Sequence, residues 1–229
     1  METFQLRLTE GFLLLALDKK KGKFLTDAIS INHGLAGTVL LKLSILKKIK
    51  VSNKKVQIID NTSTGVDYLD ELFGYIRKAK KEHKVKFWIH RIASKLKKLK
   101  YDVLSNLVER GILMRKRKKF LGLIPYTVYP TLDPGPEDEM KQHLVEVING
   151  RKKMDEKSLM MLSLAEATKL ARVLFSSRKE YKHARKRIKK LAKDFEVSTA
   201  VQETIKEVCS VVITATTSAA IAATSSGSS

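Results

Sequence analysis

The most informative stretch of the chain covers residues 95–130, KLKKLKYDVLSNLVERGILMRKRKKFLGLIPYTVYP. It opens with lysines and leucines and continues as an amphipathic segment, which predicts a helix that Gly111 ends. A short strand is predicted at Ile112–Met114, ahead of five consecutive charges at Arg115–Lys119, and a second strand is predicted at Tyr126–Tyr129. The stretch therefore predicts a helix that leads into a basic hairpin with an apolar middle.

Four apolar side chains form the middle of this hairpin: Phe120, Leu121, Leu123 and Ile124. Directly before them lies a basic patch of five residues: Arg115, Lys116, Arg117, Lys118 and Lys119. Gly122 and Pro125 favour a turn at the apolar residues, and a turn projects its side chains outward. Cations beside exposed apolar groups suit a membrane interface, where the basic patch meets anionic headgroups and the apolar residues insert.

Composition limits the class of protein. With 229 residues, 43% of them hydrophobic, the chain can bury a full core, and we expect one domain at residues 1–223 followed by a disordered tail at 224–229. Lysine and arginine outnumber aspartate and glutamate by 45 to 24, and the formal charge of +21 favours polyanionic partners. Cys209 is the only cysteine, which fits a reducing, cytoplasmic compartment.

Two segments are apolar on every side, Gly34–Leu46 and Ser158–Ala165. Helices of this kind cannot face water, so we expect both at the centre of a bundle. The predicted fold is mainly α: one domain with about nine helices around this centre and two small β-hairpins, one of them facing a membrane. A further helix is predicted over Val85–Leu99 with Phe87 pointing inward.

The uncharged segment Val208–Ser229 allows two interpretations, a membrane anchor or a terminal helix packed on the domain. Its many serines and threonines favour the packed helix. Signatures of catalysis are missing from the sequence: there is no phosphate-binding loop, dinucleotide motif, nucleophile elbow or metal-ligand spacing. We therefore expect no catalytic residue, no metal and no cofactor, and a protein that is not an enzyme.

Several blocks in order resemble the Golgi phosphoprotein 3 family of peripheral membrane adaptors. The blocks are Leu8–Leu17, Phe24–Ser30 with Gly34–Gly37, Asn106–Leu113, Met154–Leu159 and Val173–Ser177. The resemblance implies a helical domain with a hairpin that dips into lipid beside a shallow basic pocket for phosphatidylinositol 4-phosphate. It also implies cytosolic tails of membrane proteins as partners, and the cytosolic face of the Golgi as the location in a eukaryote.

The resemblance places the headgroup pocket at four positions, Leu25, Ala36, Lys97 and Lys100. Family members carry tryptophan at the first position and arginine at the other three, so the binding residue is lost at Leu25 and Ala36. Lysine at Lys97 and Lys100 keeps the charge without the two-pronged geometry that suits phosphate. The expectation is therefore attraction to anionic lipid in general, with selectivity for one phosphoinositide in doubt.

The leading hypothesis is thus a peripheral membrane protein that binds anionic phospholipid or phosphoinositide and serves as an adaptor. The alternative is a winged-helix nucleic-acid-binding protein, since a helix, a strand, a basic turn and a strand occur in that fold and +21 suits phosphate contacts. Unpaired apolar residues at the hairpin middle make nucleic acid the less favoured partner. The sequence leaves the oligomeric state open.

Overall fold

The computed structural model describes residues 6–121 and 123–225, except for the side chains of Phe120, Ala220 and residues 222–225. Within this part of the chain there are nine α-helices: α1 (Leu8–Leu15), α2 (Ala28–Ile45), α3 (Asp67–Arg77), α4 (Val85–Ala93), α5 (Lys97–Glu109), α6 (Gly135–Ile148), α7 (Glu156–Ala167), α8 (Arg178–Asp194) and α9 (Thr199–Ser225). A short 3-10 helix covers Leu170–Leu174. Two antiparallel hairpins are formed by β1 (Ile49–Ser52) with β2 (Lys55–Ile58), and by β3 (Lys116–Phe120) with β4 (Ile124–Val128). The predicted fold class, one mainly helical domain with two hairpins, is confirmed.

Helix α2 occupies the centre and packs against α1, α4, α7 and α9. The Asp27 carboxylate caps its start by accepting a hydrogen bond from the Ser30 N–H at 2.8 Å. By length and composition alone α2 could cross a membrane, but 72% of its residues are buried inside the fold. It is therefore a core helix, as its all-round apolar pattern predicts.

Helix α7 is the second central helix, and Asp155 caps its start by accepting a hydrogen bond from the Ser158 N–H at 2.7 Å. The predicted apolar segment Ser158–Ala165 is buried on nearly all sides between α1, α2 and α9. Close packing is possible because Gly37 of α2 faces Leu164 of α7 with no side chain of its own. Both predicted central helices are thus confirmed.

The last helix, α9, lies against α2, α4, α7 and β1. Val208 and Val212 are fully buried on its inner face, and the Ser44 hydroxyl donates a hydrogen bond to the Thr204 hydroxyl at 3.0 Å. This packing favours the terminal-helix interpretation over an anchor. Helix α9 continues through Ser225, while residues 226–229 lie outside the described part, so the disordered tail stays a prediction.

The prediction of one helix over Val85–Leu99 was wrong. The chain turns at residues 94–96, where the Ser94 hydroxyl donates a hydrogen bond to the Arg91 carbonyl oxygen at 2.8 Å, and α5 starts at Lys97. Phe87 also points outward, because its ring stacks on His83 with 4.0 Å between ring centroids. The Phe87 ring therefore packs on the His83 ring at the surface, and not in the hydrophobic core.

The predicted position of the first strand in the basic hairpin was also wrong, whereas the second strand, predicted at Tyr126–Tyr129, overlaps β4. The first strand was predicted at Ile112–Met114, but β3 runs from Lys116 to Phe120 and so includes four of the five cations. Leu113 makes only an isolated bridge with Thr131 at the base of the hairpin. A strand that protrudes into solvent needs no apolar face, so its cationic side chains give no signal of alternation.

Candidate membrane-binding surface

The hairpin β3–β4 carries cations on both of its faces. Cross-strand partners in an antiparallel pair share a face, so Lys118 lies beside its partner Tyr126, whereas Arg117 and Lys119 lie on the opposite face. All five residues of the basic patch, Arg115–Lys119, are exposed. Whichever face of the hairpin approaches an anionic surface, cations therefore meet it.

The base of the hairpin is joined to the turn between α1 and α2 by backbone hydrogen bonds. The Tyr129 N–H donates to the Gly22 carbonyl oxygen at 2.9 Å, and the Thr131 N–H donates to the Lys19 carbonyl oxygen at 2.9 Å. Gly22 has a φ of +64°, and a Cβ there would overlap the backbone of Tyr129 and Pro130. Glycine at this position lets the two segments touch, which holds the hairpin in a fixed direction from the core.

The tip of the hairpin is apolar and exposed. Leu121 is 81% exposed, Leu123 is 83% exposed and Ile124 is 63% exposed. The fourth residue predicted for insertion, Phe120, has a side chain outside the described part of the structure. Since large apolar side chains this exposed mark an interaction surface, the tip is a candidate for contact with lipid.

Beside the tip lies an apolar groove of about 490 Å³. One wall is the segment Gly22–Phe24 and the other is β4 with the following Tyr129. The Lys23 ammonium nitrogen lies 5.1 Å from the centroid of the Tyr126 ring, at the edge of the groove. The groove joins segments about a hundred residues apart in the sequence, so no local pattern reveals it.

Lys97 and Lys100 lie in the first turn of α5, and Lys100 lies close to the segment that precedes α2. Lys97 is exposed, whereas Lys100 is half-buried. The Lys100 ammonium group donates a hydrogen bond to the Asn32 side-chain oxygen at 3.3 Å and lies 5.8 Å from the centroid of the Phe24 ring. Burial lowers the pKa of Lys100. The structure thus places Lys100 next to Phe24, a wall of the groove, and leaves Lys97 free to face a ligand.

The two positions that lost their binding residue have different surroundings. Leu25 is 48% exposed and lies directly after Phe24. Ala36 is completely buried in α2, so as an alanine it offers nothing to a headgroup. Among the four predicted pocket positions, only the two lysines present a charge.

A histidine pair near Lys100 was not found by sequence reasoning. His33 and His90 are 57 positions apart, and the His33 Nε2 lies 3.0 Å from the His90 Nδ1. The His33 Nδ1 lies 2.8 Å from the Ile29 carbonyl oxygen and donates to it, so the Nε2 accepts a hydrogen bond from His90. Partial burial, followed by the neighbouring His33 and the charge of Lys86, lowers the pKa of His90.

Acidification will lower the free energy of unfolding of this protein. The pKa of His90 in the folded state is below the value of about 6.5 that it has when unfolded. The stability that neutral His90 provides is therefore fully present above the unfolded-state pKa of about 6.5. It is lost as the pH falls from there through the folded-state pKa. Burial also lowers the pKa of His143, which adds to the loss. Urea denaturation at several pH values between 7.5 and 5 measures the effect.

In the same titration, His90→Gln will show a shallower decline of the free energy of unfolding with acid. Because His90 is exposed, we expect a partial change in slope and no loss of folding at pH 7.5. The matched control is His183→Gln, which removes a histidine from the exposed face of α8, outside the pair. An unchanged slope in His90→Gln would contradict the role of the pair.

Neither a cluster for a metal ion nor a reactive cysteine is found in the described residues. No set of three or more histidine, cysteine, aspartate or glutamate side chains there could hold a metal ion. Burial raises the pKa of the Cys209 thiol to about 12, so the reactive thiolate is not formed at neutral pH. The features that the structure does bring together are cations, aromatic rings and exposed apolar groups.

These features define a helical domain with a protruding hairpin whose first strand is basic and whose tip is apolar. A family model for Golgi phosphoprotein 3 (GPP34) matches residues 8–208. The chain belongs to the Golgi phosphoprotein 3 family, which confirms the resemblance found in the sequence blocks.

One curated relative is vacuolar protein sorting-associated protein 74 of Schizosaccharomyces pombe, which is 28% identical over 168 residues. The alignment covers 64% of this chain and 49% of the relative. The chain thus spans about half the length of the curated relative that it matches.

Proposed function

We propose that this protein is a peripheral membrane protein that binds anionic phospholipid through the hairpin β3–β4 and serves as an adaptor for cytosolic tails of membrane proteins. It would act at a cytosolic membrane surface, which in a eukaryote is that of the Golgi. The family supports an adaptor role, and the surface of this chain supports binding to lipid. Binding, and not catalysis, is the activity we assign.

The observation that carries this proposal is the exposed apolar tip directly after the basic strand β3. Leu121, Leu123 and Ile124 project from the domain, and the exposed cations of Arg115–Lys119 precede them. Each cation close to an anionic surface contributes about 1 kcal/mol, and full burial of one such apolar side chain contributes about 1.5–3 kcal/mol. Charge and insertion therefore contribute comparably, which suits a bilayer surface better than duplex DNA.

The headgroup contacts in this proposal come from Lys97 and Lys100, of which Lys100 lies beside the groove residue Phe24. Lys100 is held by Asn32 and Phe24, while Lys97 is exposed, so the two cations present a point-charge site with no arginine fork. Because Leu25 and Ala36 add no charge, the site should respond to the density of negative charge more than to one headgroup. We therefore propose attraction to anionic lipids in general, phosphatidylinositol 4-phosphate among them.

Vesicle flotation tests this function. Phosphatidylcholine vesicles are compared with vesicles that also contain phosphatidylserine, phosphatidylinositol or phosphatidylinositol 4-phosphate at equal total charge. We expect binding to all three anionic compositions and none to phosphatidylcholine alone. Duplex DNA at the same salt concentration tests the nucleic-acid alternative, which tighter binding to DNA than to any vesicle would favour.

Replacing Lys97 and Lys100 together with alanine will weaken attachment to every anionic vesicle by a similar factor. Loss of two cations near the surface removes about 1 kcal/mol each, so we expect a decrease of roughly ten- to thirty-fold at low salt. The difference from wild type will shrink as salt rises and screens the charges. Co-sedimentation over a salt series measures both effects.

The matched control removes the same charge from another surface, by replacing Lys189 and Lys190 on the exposed side of α8 with alanine. A smaller loss in the control locates the binding charge at α5. If the α5 variant instead loses only phosphatidylinositol 4-phosphate and keeps the other lipids, the site is selective and our proposal of general attraction is wrong.

A further inference from the structure

We propose that the groove between Gly22–Phe24 and β4 binds one acyl chain of an anionic phospholipid. The inference rests on the proposed function, because that function brings the hairpin to the bilayer. It adds a site for the lipid tail to the surface contacts already described.

The groove is shaped for an apolar chain. On β4, alternate residues face the same side, so Ile124, Tyr126 and Val128 line the groove together. Val128 is buried and Phe24 is half-buried, which gives the groove an apolar floor and wall. Its volume of about 490 Å³ lies in the range of about 300–1,000 Å³ that ligand sites occupy.

The walls of the groove are fixed before any ligand arrives. The Tyr129 N–H donates to the Gly22 carbonyl oxygen at 2.9 Å, and the Leu25 N–H donates to the Ala16 carbonyl oxygen at 2.8 Å. The first bond joins the two walls to each other, and the second joins the segment that forms one wall to the end of α1. Little ordering therefore accompanies binding, which favours affinity.

The groove is continuous with the apolar tip. Ile124 lines the groove and is also 63% exposed at the tip, next to Leu123. When the tip enters the bilayer, the mouth of the groove lies among acyl chains. A chain can then slide in without crossing water.

Cations around the groove identify the headgroup as anionic. Lys23 lies over the ring of Tyr126, Lys100 lies over the ring of Phe24, and Lys118 shares a hairpin face with Tyr126. Both aromatic walls are thus flanked by lysines. A phospholipid with a negative headgroup can pair its head with the lysines and bury its tail in the groove. A neutral apolar chain can only fill the groove.

Soluble lipids test the groove without a bilayer. Using the full chain, NMR titration below the micellar concentration compares dibutanoyl- and dihexanoylphosphatidylserine with glycerophosphoserine, the headgroup alone. Each buried methylene raises affinity about four-fold, so one chain lengthened by two methylenes raises it about sixteen-fold. The expected shifts fall on Phe24, Tyr126 and Val128. Equal affinity for glycerophosphoserine and for the two phosphatidylserines overturns the proposal. This test uses only the wild-type protein.

Two variants separate this site from the tip. Tyr126→Glu places a carboxylate in the groove and should abolish the chain-length effect, while Lys189→Gln makes the same change in charge on the exposed side of α8 and should preserve it. The double variant Leu121→Asp with Leu123→Asp should no longer bind vesicles but should still bind dihexanoylphosphatidylserine.

The outcomes for the wild-type protein distinguish the two proposals. Failure to bind anionic vesicles overturns the proposed function, whereas binding to vesicles without a chain-length effect overturns only the proposal that the groove holds an acyl chain. Hexanoic acid binding as tightly as the phospholipid would also overturn it.

Discussion

Replacing Leu123 and Ile124 together with aspartate will detach the protein from anionic vesicles at physiological salt. Leu123 is 83% exposed and Ile124 is 63% exposed, so the protein itself does not bury them. In this proposal they become buried when they insert into lipid. Full burial of two such side chains contributes about 3–6 kcal/mol, which corresponds to a decrease in partitioning on the order of a hundred- to ten-thousand-fold. Flotation of wild type and variant in one salt series measures the loss.

The same variant will melt within a few degrees of wild type, because neither side chain packs in the core. Its matched control replaces Ile58 and Ile59 with aspartate, since these are exposed isoleucines on or beside the other hairpin. The control should still bind vesicles. A sharply lowered melting temperature in the tip variant would show that these residues pack on the domain, as a core substitution of this kind costs several kcal/mol.

Gly34→Ala will destabilise the protein, although alanine favours helices. A Cβ at Gly34 would lie inside the contact distance of the Phe12 ring, which is completely buried. Overpacking of a core costs about 1–3 kcal/mol and sometimes more, and the buried ring would have to shift to make room. After a gain of about 1 kcal/mol from helix propensity, we expect a net loss of roughly 1 kcal/mol. This loss lowers the melting temperature by about 2–4 °C.

Gly74→Ala in α3 is the matched control, because nothing lies within 4 Å of a Cβ at that position. Only the propensity gain applies there, so the melting temperature should rise by a few degrees. We therefore expect calorimetry to show shifts in melting temperature of opposite sign for the same substitution in the two helices. Two shifts of the same sign would mean that α1 and α2 do not pack as closely as described.

The central helices could be predicted because the sequence pattern within each segment is enough to indicate its burial. A segment such as Gly34–Leu46 is apolar on every side, and only burial satisfies that pattern. The exposed tip could also be anticipated, since Pro125 follows a short apolar run directly after five cations. In both cases neighbouring residues alone determine the environment.

The remaining features depend on contacts that no local pattern records. Residues 94–96 interrupt a helical pattern without glycine or proline, so the break between α4 and α5 had no signal. The strand at Lys116–Phe120 resembles a solvated turn until its partner strand is known. His33 meets His90, and Gly22 meets Tyr129, only after the chain has folded.

The packing of α2 against α9 has a consequence for biosynthesis. Helix α2 is complete at Ile45, but the helix that covers it begins only at Thr199, roughly 150 residues later. A ribosome adding about 5–20 residues per second needs roughly 8–30 s for that interval. Throughout it, the nascent chain carries a helix that is long and apolar enough to cross a membrane and that still lacks one of its covering helices. Completion of the packing around α2 thus waits until α9 has been translated.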